Sequence, residues 1–179
     1  MRRIIAGLFM TLDGVVEAPE RWTGPYFNDE VGGEIGSMIA QSDALLMGRT
    51  SYETFRASFA EQSGGMADNM NNTTKYVVST TLDRVDWQNS TLVEGDLAEE
   101  LDKLKQQPGK NINITGSGTL VRSLLADGLL DELRILLFPV VLGSGARLFD
   151  GSDEVGLALT DATKFSNGVV NLVYAPADA

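Results

Sequence analysis

The sequence contains neither cysteine nor histidine among its 179 residues. This excludes disulfides, thiolate nucleophiles, zinc sites built on Cys or His ligands, and every catalytic triad with a histidine base. Any chemistry must therefore depend on carboxylates, hydroxyls, amides, Lys or Arg, or be supplied by a cofactor. We expect no metal site.

Positive charge is also scarce, because 14 Lys and Arg residues stand against 25 Asp and Glu, and the formal net charge is -11. A protein that binds duplex nucleic acid needs a cationic face, so we expect no nucleic-acid partner. No apolar run reaches the ~18 residues of a membrane span. The apolar start at residues 1–10 lacks a small-residue cleavage site and predicts a strand rather than a signal peptide. We expect a cytoplasmic protein with a small-molecule ligand and no membrane partner.

The composition, 43% apolar and 22% charged, is ordinary for a globular protein and fits one domain over residues 1–179. Apolar and β-branched runs predict strands at residues 3–10, 43–47, 75–79, 92–94, 112–115 and 133–141. Helical spacing of apolar residues predicts helices at residues 28–41, 50–59, 97 to a stop at Pro108, and 119–127. Residues 60–74, rich in Gly, Asn, Met and Ser, predict a mobile loop.

Two further strands, at about 157–165 and 169–175, meet at Asn167-Gly168, a strong hairpin signal. Strands and helices alternate up to about residue 142, and the hairpin closes the chain. The pattern predicts an α/β domain with a mainly parallel sheet and an antiparallel edge.

The first candidate ligand site is the turn at Gly48, Arg49 and Thr50, where a predicted strand ends and a helix begins. The first amides of a helix point outward unpaired and carry the positive end of its dipole. Gly48 would let a ligand approach the backbone, and Arg49 would add a charge suited to a phosphate. The alternative is local: Thr50 and Glu53 form a capping box, and Arg49 is solvated.

The second candidate is the glycine turn at residues 115–119, which again joins a strand to a helix. It lacks the third glycine of the dinucleotide fingerprint because residue 121 is valine, and a tight turn without a ligand is the alternative. In an open parallel sheet, ligands bind beyond the carboxyl ends of the strands, so both helix starts could hold one elongated polyphosphate. A third turn, at residues 143–145, is interpreted as structural and as joining antiparallel strands.

Several short motifs follow one another along the chain: T-L-D-G at 11–14, M-G-R-T-S-Y-E at 47–53, K-Y-V-V-S at 75–79, T-G-S-G at 115–118, G-L-L-D-E-L-R at 128–134 and P-V-V-L-G-S-G-A-R-L-F at 139–149. This set resembles the dihydrofolate-reductase-like superfamily, above all the reductase domain of riboflavin biosynthesis and its stand-alone bacterial relatives. The resemblance covers residues 3–175. It implies a central sheet of about eight strands flanked by helices, NADPH as cofactor, and a homodimer.

Matched positions in this family imply which residues hold NADPH. Phosphates would lie on Gly48, Arg49 and Thr50, and the adenosine end with its 2′-phosphate would lie beside Ser79 and Thr80. The pyrophosphate would be held by Gly116, Ser117, Gly118 and Thr119. Asp13 and Gly14 would lie near the nicotinamide and the substrate. Asp13 is therefore the candidate catalytic residue, with an ordinary Asp-Gly turn as the alternative. The carboxylate that assists protonation in dihydrofolate reductases would fall here near Gly32 or Gly33.

The resemblance implies an NADPH-dependent oxidoreductase that transfers hydride to a small heteroaromatic or carbonyl substrate, pteridine-, pyrimidine- or folate-like. Glu17 and Glu30 are reserve candidates for a polar group in the substrate pocket. Aromatic residues that could wall the pocket are Trp22, Tyr26, Phe27, Tyr52 and Phe55. One alternative is an NADP(H)-binding homodimeric protein of the same fold without efficient turnover. Another is an interaction module in which the apolar strand 133–141 forms a dimer interface.

Overall fold

The computed structural model describes residues 1–151 and 154–177. Within these residues eight strands form one sheet: β1 (Ile4–Thr11), β2 (Ser42–Gly48), β3 (Thr74–Val78), β4 (Ser90–Val93), β5 (Asn111–Ile114), β6 (Glu132–Phe138), β7 (Leu157–Lys164) and β8 (Val170–Pro176). The order across the sheet is β4-β3-β2-β5-β1-β6-β8-β7. Neighbouring strands are parallel except at β8, which is antiparallel to both β6 and β7. The predicted α/β fold with its C-terminal hairpin is confirmed.

Five α-helices flank the sheet in the described ranges: α1 (Asp29–Ala40), α2 (Arg49–Phe59), α3 (Gly65–Asn72), α4 (Leu97–Gln106) and α5 (Gly118–Ala126). Side chains cap three of the helix starts, because Asn28, Asp96 and Ser117 each accept a hydrogen bond from an amide in the first turn. None of the helices in this part of the chain is long and apolar enough to cross a membrane.

The start of α2 differs from its prediction. The helix begins at Arg49, with Gly48 as its N-cap residue and no side-chain cap among the described residues. Thr50 therefore lies inside the first turn, and the predicted capping box of Thr50 and Glu53 is wrong. The prediction fails because the chain enters the helix earlier than expected, at Gly48, which has no side chain to accept a hydrogen bond from a first-turn amide.

The third helix was not predicted, and the expectation of a mobile loop at residues 60–74 is wrong. A short, Asn-rich helix gains most of its stability from tertiary contacts rather than from propensity. Lys75 supplies such a contact: its fully buried ammonium donates to the carbonyls of Met70 and Thr73, 2.7 Å away in each case, at the end of α3. Burial lowers the pKa of Lys75 to about 8.

The C-terminal hairpin forms at the predicted place. Gly168 has a φ of +87°, and the amide of Phe165 donates to the carbonyl of Val169 at 2.8 Å to close the turn. Because β8 lies between β6 and β7 and is antiparallel to both, β6 and β7 run in the same direction. The prediction that the turn at 143–145 joins antiparallel strands is therefore wrong.

Strand β6 lies inside the sheet, paired with β1 on one side and β8 on the other. Five of its seven side chains are buried, and they contribute to the packing on both faces of the sheet. The part of residues 133–141 that belongs to β6 has neither a free edge nor a free face, whereas Val141 beyond the strand is 66% exposed. A dimer interface at residues 133–141 stays a prediction.

The two faces of the sheet are covered differently. On one face, α4 and α5 pack over the central strands in a single continuous apolar cluster. On the other face the core is divided: Val31 of α1 packs with Phe138, and Tyr52 of α2 packs with Met47, in two clusters that share no residue. A gap is left between α1 and α2, above β5.

Replacing Lys75 with methionine should lower the free energy of unfolding by about 1.5–3 kcal/mol, because charged hydrogen bonds to buried carbonyls are lost. Lys110 is a matched control, since its ammonium donates to the carbonyl of Ala40 at the end of α1, but at an exposed site. Lys110→Met should change the free energy of unfolding by less than about 0.5 kcal/mol. Urea denaturation measures both, and equal effects would contradict the role given to Lys75.

Candidate functional site

Two glycine turns touch at one edge of the sheet. Strands β2 and β5 are parallel neighbours, so their carboxyl ends meet there, and each is followed by a helix. A Cβ atom added to Gly48 would lie 3.2 Å from Ser117 Oγ, and one added to Gly116 would lie 3.3 Å from Ser51 Oγ. The two turns identified in the sequence are therefore in direct contact.

Glycine is required at the two turns for different reasons. Gly116 has a φ of +150°, a backbone conformation that residues with a side chain rarely adopt. Gly48 has an ordinary φ of -77°, so only the closeness of Ser117 favours glycine there. A side chain at either position would push the turns apart.

The starts of α2 and α5 face this edge with their first-turn amides. No side chain caps α2 within the described residues, and α5 is capped only by Ser117 Oγ, which accepts from the amide of Leu120. Neither helix has an acidic residue in its first turn. Unpaired amides and the positive ends of two helix dipoles would favour an anion at this edge.

Two arginines add positive charge to this edge in a chain whose net charge is -11. Arg49 is half-exposed, and its ion pair with Glu53 is long, at 4.0 Å. Arg122 of α5 was not identified from the sequence, although it lies one helical turn beyond the second glycine turn. Its guanidinium donates to the carbonyl of Leu148 at 2.9 Å and to Thr119 Oγ1 at 3.3 Å.

A cleft of about 1210 Å³ extends from this edge along the face of the sheet between α1 and α2. It is larger than the roughly 300–1,000 Å³ of most small-ligand sites, so it has room for an elongated ligand. All nine residues that the family resemblance assigns to the cofactor line it: Gly48, Arg49, Thr50, Ser79, Thr80, Gly116, Ser117, Gly118 and Thr119. Their role in binding a cofactor stays a prediction.

Asp13, the candidate catalytic residue, is not among the described residues that line the cleft. Its carboxylate accepts hydrogen bonds from the Thr11 hydroxyl at 2.6 Å, the Gly143 amide at 2.8 Å and the Leu142 amide at 3.2 Å. These bonds, the one from Thr11 foremost, lower the pKa of Asp13 to about 2. Asp13 is therefore ionised at neutral pH and fastens the loop after β6 to the end of β1. Its catalytic role stays a prediction.

The two reserve carboxylates also have partners. Glu17 lines the cleft, and its Oε2 accepts from the amide of Ala146 at 2.9 Å. Glu30 lies outside the lining of the cleft and accepts from both the hydroxyl and the amide of Ser166, which lower the pKa of Glu30. Glu30 thus connects the start of α1 to the hairpin turn.

Of the five aromatic residues proposed as walls of the pocket, Phe55 lines the cleft. Trp22 and Tyr26 instead make edge contacts with the ring of Phe138, and Tyr52 is buried in the cluster below α2. Single aromatic residues in this chain serve the core more often than the cleft.

Asn113 on β5 also lines the cleft, and the sequence prediction missed it. Its residue is only 4% exposed. The signal was the alternation N-I-N-I-T at residues 111–115, which places polar side chains on one face of a strand that should be buried on both.

Comparisons with known proteins agree with the fold. A family described as the RibD C-terminal domain has a sequence model that matches residues 2–171. The uncharacterized protein YyaP of Bacillus subtilis (strain 168) is 32% identical, with 97% of this chain and 94% of that protein covered.

Two solved structures show the fold. A Shewanella sp. PV-4 protein, provisionally named for riboflavin biosynthesis, has a TM-score of 0.79 at 20% identity, covering 99% of this chain and 100% of that one. The dihydrofolate reductase of Enterococcus faecalis, solved in complex with NADP(H), has a TM-score of 0.63 at 14% identity, covering 98% of this chain and 97% of that reductase. The dihydrofolate-reductase-like architecture is confirmed.

The contact between the turns can be tested with a double-mutant cycle. Gly48→Ala should lower the free energy of unfolding by about 1–3 kcal/mol, because the new methyl group is crowded by Ser117 Oγ. Ser117→Gly should cost only a few tenths of a kcal/mol at an N-cap. In the double variant the new methyl group is no longer crowded by Ser117 Oγ. The loss in free energy of unfolding should therefore be smaller than the sum of the two single losses, by about 0.5 kcal/mol or more. Additive losses in chemical denaturation would contradict the contact.

Proposed function

Because this chain belongs to the RibD C-terminal domain family, we propose that it is an NADPH-dependent oxidoreductase. Its substrate is a small heteroaromatic or carbonyl compound of the pteridine, pyrimidine or folate type. We further propose that the whole chain acts as one domain, in the cytoplasm, and as the homodimer that the family resemblance implies.

The observation that carries this proposal is the contact between the two glycine turns. It places the starts of α2 and α5 side by side, with Arg49 and Arg122 at the same edge of the cleft. One helix start can hold one phosphate, but two starts in contact suit a pyrophosphate. The close approach at Gly48 and Gly116 leaves backbone amides, not side chains, to meet the ligand.

The residues present fit a phosphorylated nicotinamide dinucleotide. Gly116, Ser117, Gly118 and Thr119 would hold the pyrophosphate, and Gly48, Arg49 and Thr50 further phosphate oxygens. Ser79 and Thr80 at the end of β3 would lie beside the adenosine end. When bound, NADPH supplies the hydride, so the protein itself needs no redox-active side chain.

The chain's own residues then bind, orient and exclude water. The groove between α1 and α2 continues from the phosphate edge and offers apolar walls, among them Met38 and Phe55. Holding the cofactor and the substrate side by side in one groove makes their reaction effectively unimolecular. Glu17, fastened by the Ala146 amide, is a carboxylate at the mouth of this groove.

A second candidate is an NADP(H)-binding protein of the same fold without efficient turnover. It is favoured by the wall that α1 presents to the cleft, where the lining side chains are Ile35, Met38 and Ile39 and no carboxylate of α1 is among the described lining residues. Glu34 of the same helix is instead paired with Arg134, 3.5 Å away.

The cofactor assignment predicts micromolar binding of NADPH in titration calorimetry. Arg49→Ala should weaken NADPH binding by about tenfold, because one partly exposed charged contact to phosphate is lost. The same substitution should weaken NADH binding by much less. Arg56→Ala is the matched control, because Arg56 lies on the same helix, pairs with Asp86 and does not line the cleft. No binding at millimolar NADPH would overturn the proposal. Equal losses for both nucleotides would show that Arg49 does not recognise the 2′-phosphate.

Turnover separates the two candidates. We expect loss of NADPH absorbance with at least one member of a panel of dihydrofolate, pteridines, flavins and quinones. Such turnover would rule out the second candidate, an NADP(H)-binding protein without efficient turnover. Micromolar NADPH binding without oxidation by any member favours it.

A further inference from the structure

The floor of the groove carries a buried amide without a partner. Asn113 is 4% exposed and lines the cleft, and within residues 1–151 and 154–177 its side chain has no hydrogen bond. Its neighbours across the sheet are Leu45 on β2 and Ile5 on β1, both apolar and buried. Among the described residues, the fully buried side-chain atoms without a partner are Ser90 Oγ and Asn171 Oδ1. The Asn113 amide is therefore accessible from the cleft, where a ligand can pair with it.

The side chain of Met38 lies directly above Gly7, next to Asn113. A Cβ atom added to Gly7 would lie 2.6 Å from Met38 Sδ and 3.8 Å from Asn113 Oδ1. Gly7 and Met38 line the cleft together with Asn113. The amide therefore borders the cavity beneath α1, at the place where the apolar cores below α1 and α2 are separated.

Ile5, Leu45 and Met38, which neighbour Asn113, are uncharged. The acidic lining residues Glu17, Glu20 and Asp150 lie in the loops after β1 and β6. The cationic lining residues, Arg49, Arg122 and Arg147, follow the glycine turns or lie in the loop after β6. The apolar lining of the groove is thioether, aliphatic and aromatic, as in Met38, Ile35 and Phe55. A phosphate or carboxylate placed there would lose its hydration without gaining a partner.

We propose that Asn113 determines substrate specificity by hydrogen bonding to the lactam edge of an uncharged planar ring. Its Nδ2 donates to the ring carbonyl oxygen, and its Oδ1 accepts from the adjacent ring N–H, because an amide complements another amide. A cationic amidine ring offers two donors and no acceptor, so it would leave Nδ2 unpaired. This inference rests on the proposed function, since it assigns the substrate half of the same cleft.

The test measures binding of three neutral lactams, 6-methylpterin, lumazine and 5-aminouracil, to the protein saturated with NADP⁺. They are compared with 3,6-dimethylpterin, 1,3-dimethyllumazine and 5-amino-1,3-dimethyluracil, whose methylated ring nitrogens cannot donate. At least one lactam should bind, and methylation should weaken it by about tenfold or more, because a site built for a hydrogen bond rejects an analogue lacking it. Binding of none, or equal binding of each pair, overturns the proposal even when NADP⁺ binds. Failure of NADP⁺ itself to bind is the separate result that overturns the proposed function.

Variants complete the test. Asn113→Leu should weaken the lactam about tenfold, abolish the effect of methylation and leave the NADP⁺ affinity unchanged. Its melting temperature should not fall, because an unpartnered amide is replaced by an apolar group. Asn111→Leu, on the same strand but outside the lining of the cleft, is the matched control and should leave lactam binding unchanged.

Asn113→Asp should reverse the preference, so that 2,4-diamino-6-methylpteridine binds more tightly than 6-methylpterin, because a carboxylate accepts from a cationic amidine. Unchanged preference in this variant overturns the proposal. So does an Asn113→Leu protein that loses stability or NADP⁺ affinity, since either result would assign the amide to the core or to the cofactor.

Discussion

Two helix starts can touch at the edge of this sheet only because residues 48 and 116 have no side chain. Methyl groups there would lie 3.2 and 3.3 Å from the hydroxyl oxygens of Ser117 and Ser51. The contact brings two sets of unpaired amides to one place, and it determines where the cleft begins. Every cofactor-binding role proposed above depends on it.

The rest of the cleft follows from an asymmetry of packing. One face of the sheet is closed by a continuous apolar core, whereas the other is covered by two separate helix groups. Strand β5 lies at the centre of the sheet, below the gap, and carries an amide there instead of an apolar side chain. In this strongly acidic chain, two helix dipoles with Arg49 and Arg122 supply local positive charge at one end of the gap, as the proposed anionic cofactor would require.

The order of strands and helices was predictable from apolar runs and turn residues, and the cleft's glycine turns from the succession of strand, glycine and helix around Gly48 and Gly116. Helix α3 was not, because it is held by tertiary contacts such as that of Lys75, which lies beyond it in the sequence. Local propensity does not report such contacts. The anchoring of Asp13 by the loop after β6 was hidden for the same reason, since the partners are about 130 residues apart. Asn113 could have been found from the alternation N-I-N-I-T, had a polar face on a central strand been treated as a signal.

An amide NMR titration with NADP⁺ tests most directly whether the starts of α2 and α5 jointly hold one dinucleotide. The amide signals of Thr50, Ser51, Gly118 and Thr119 should shift together along a single saturation curve. Saturable binding that moves amides elsewhere and leaves these four unchanged would contradict it.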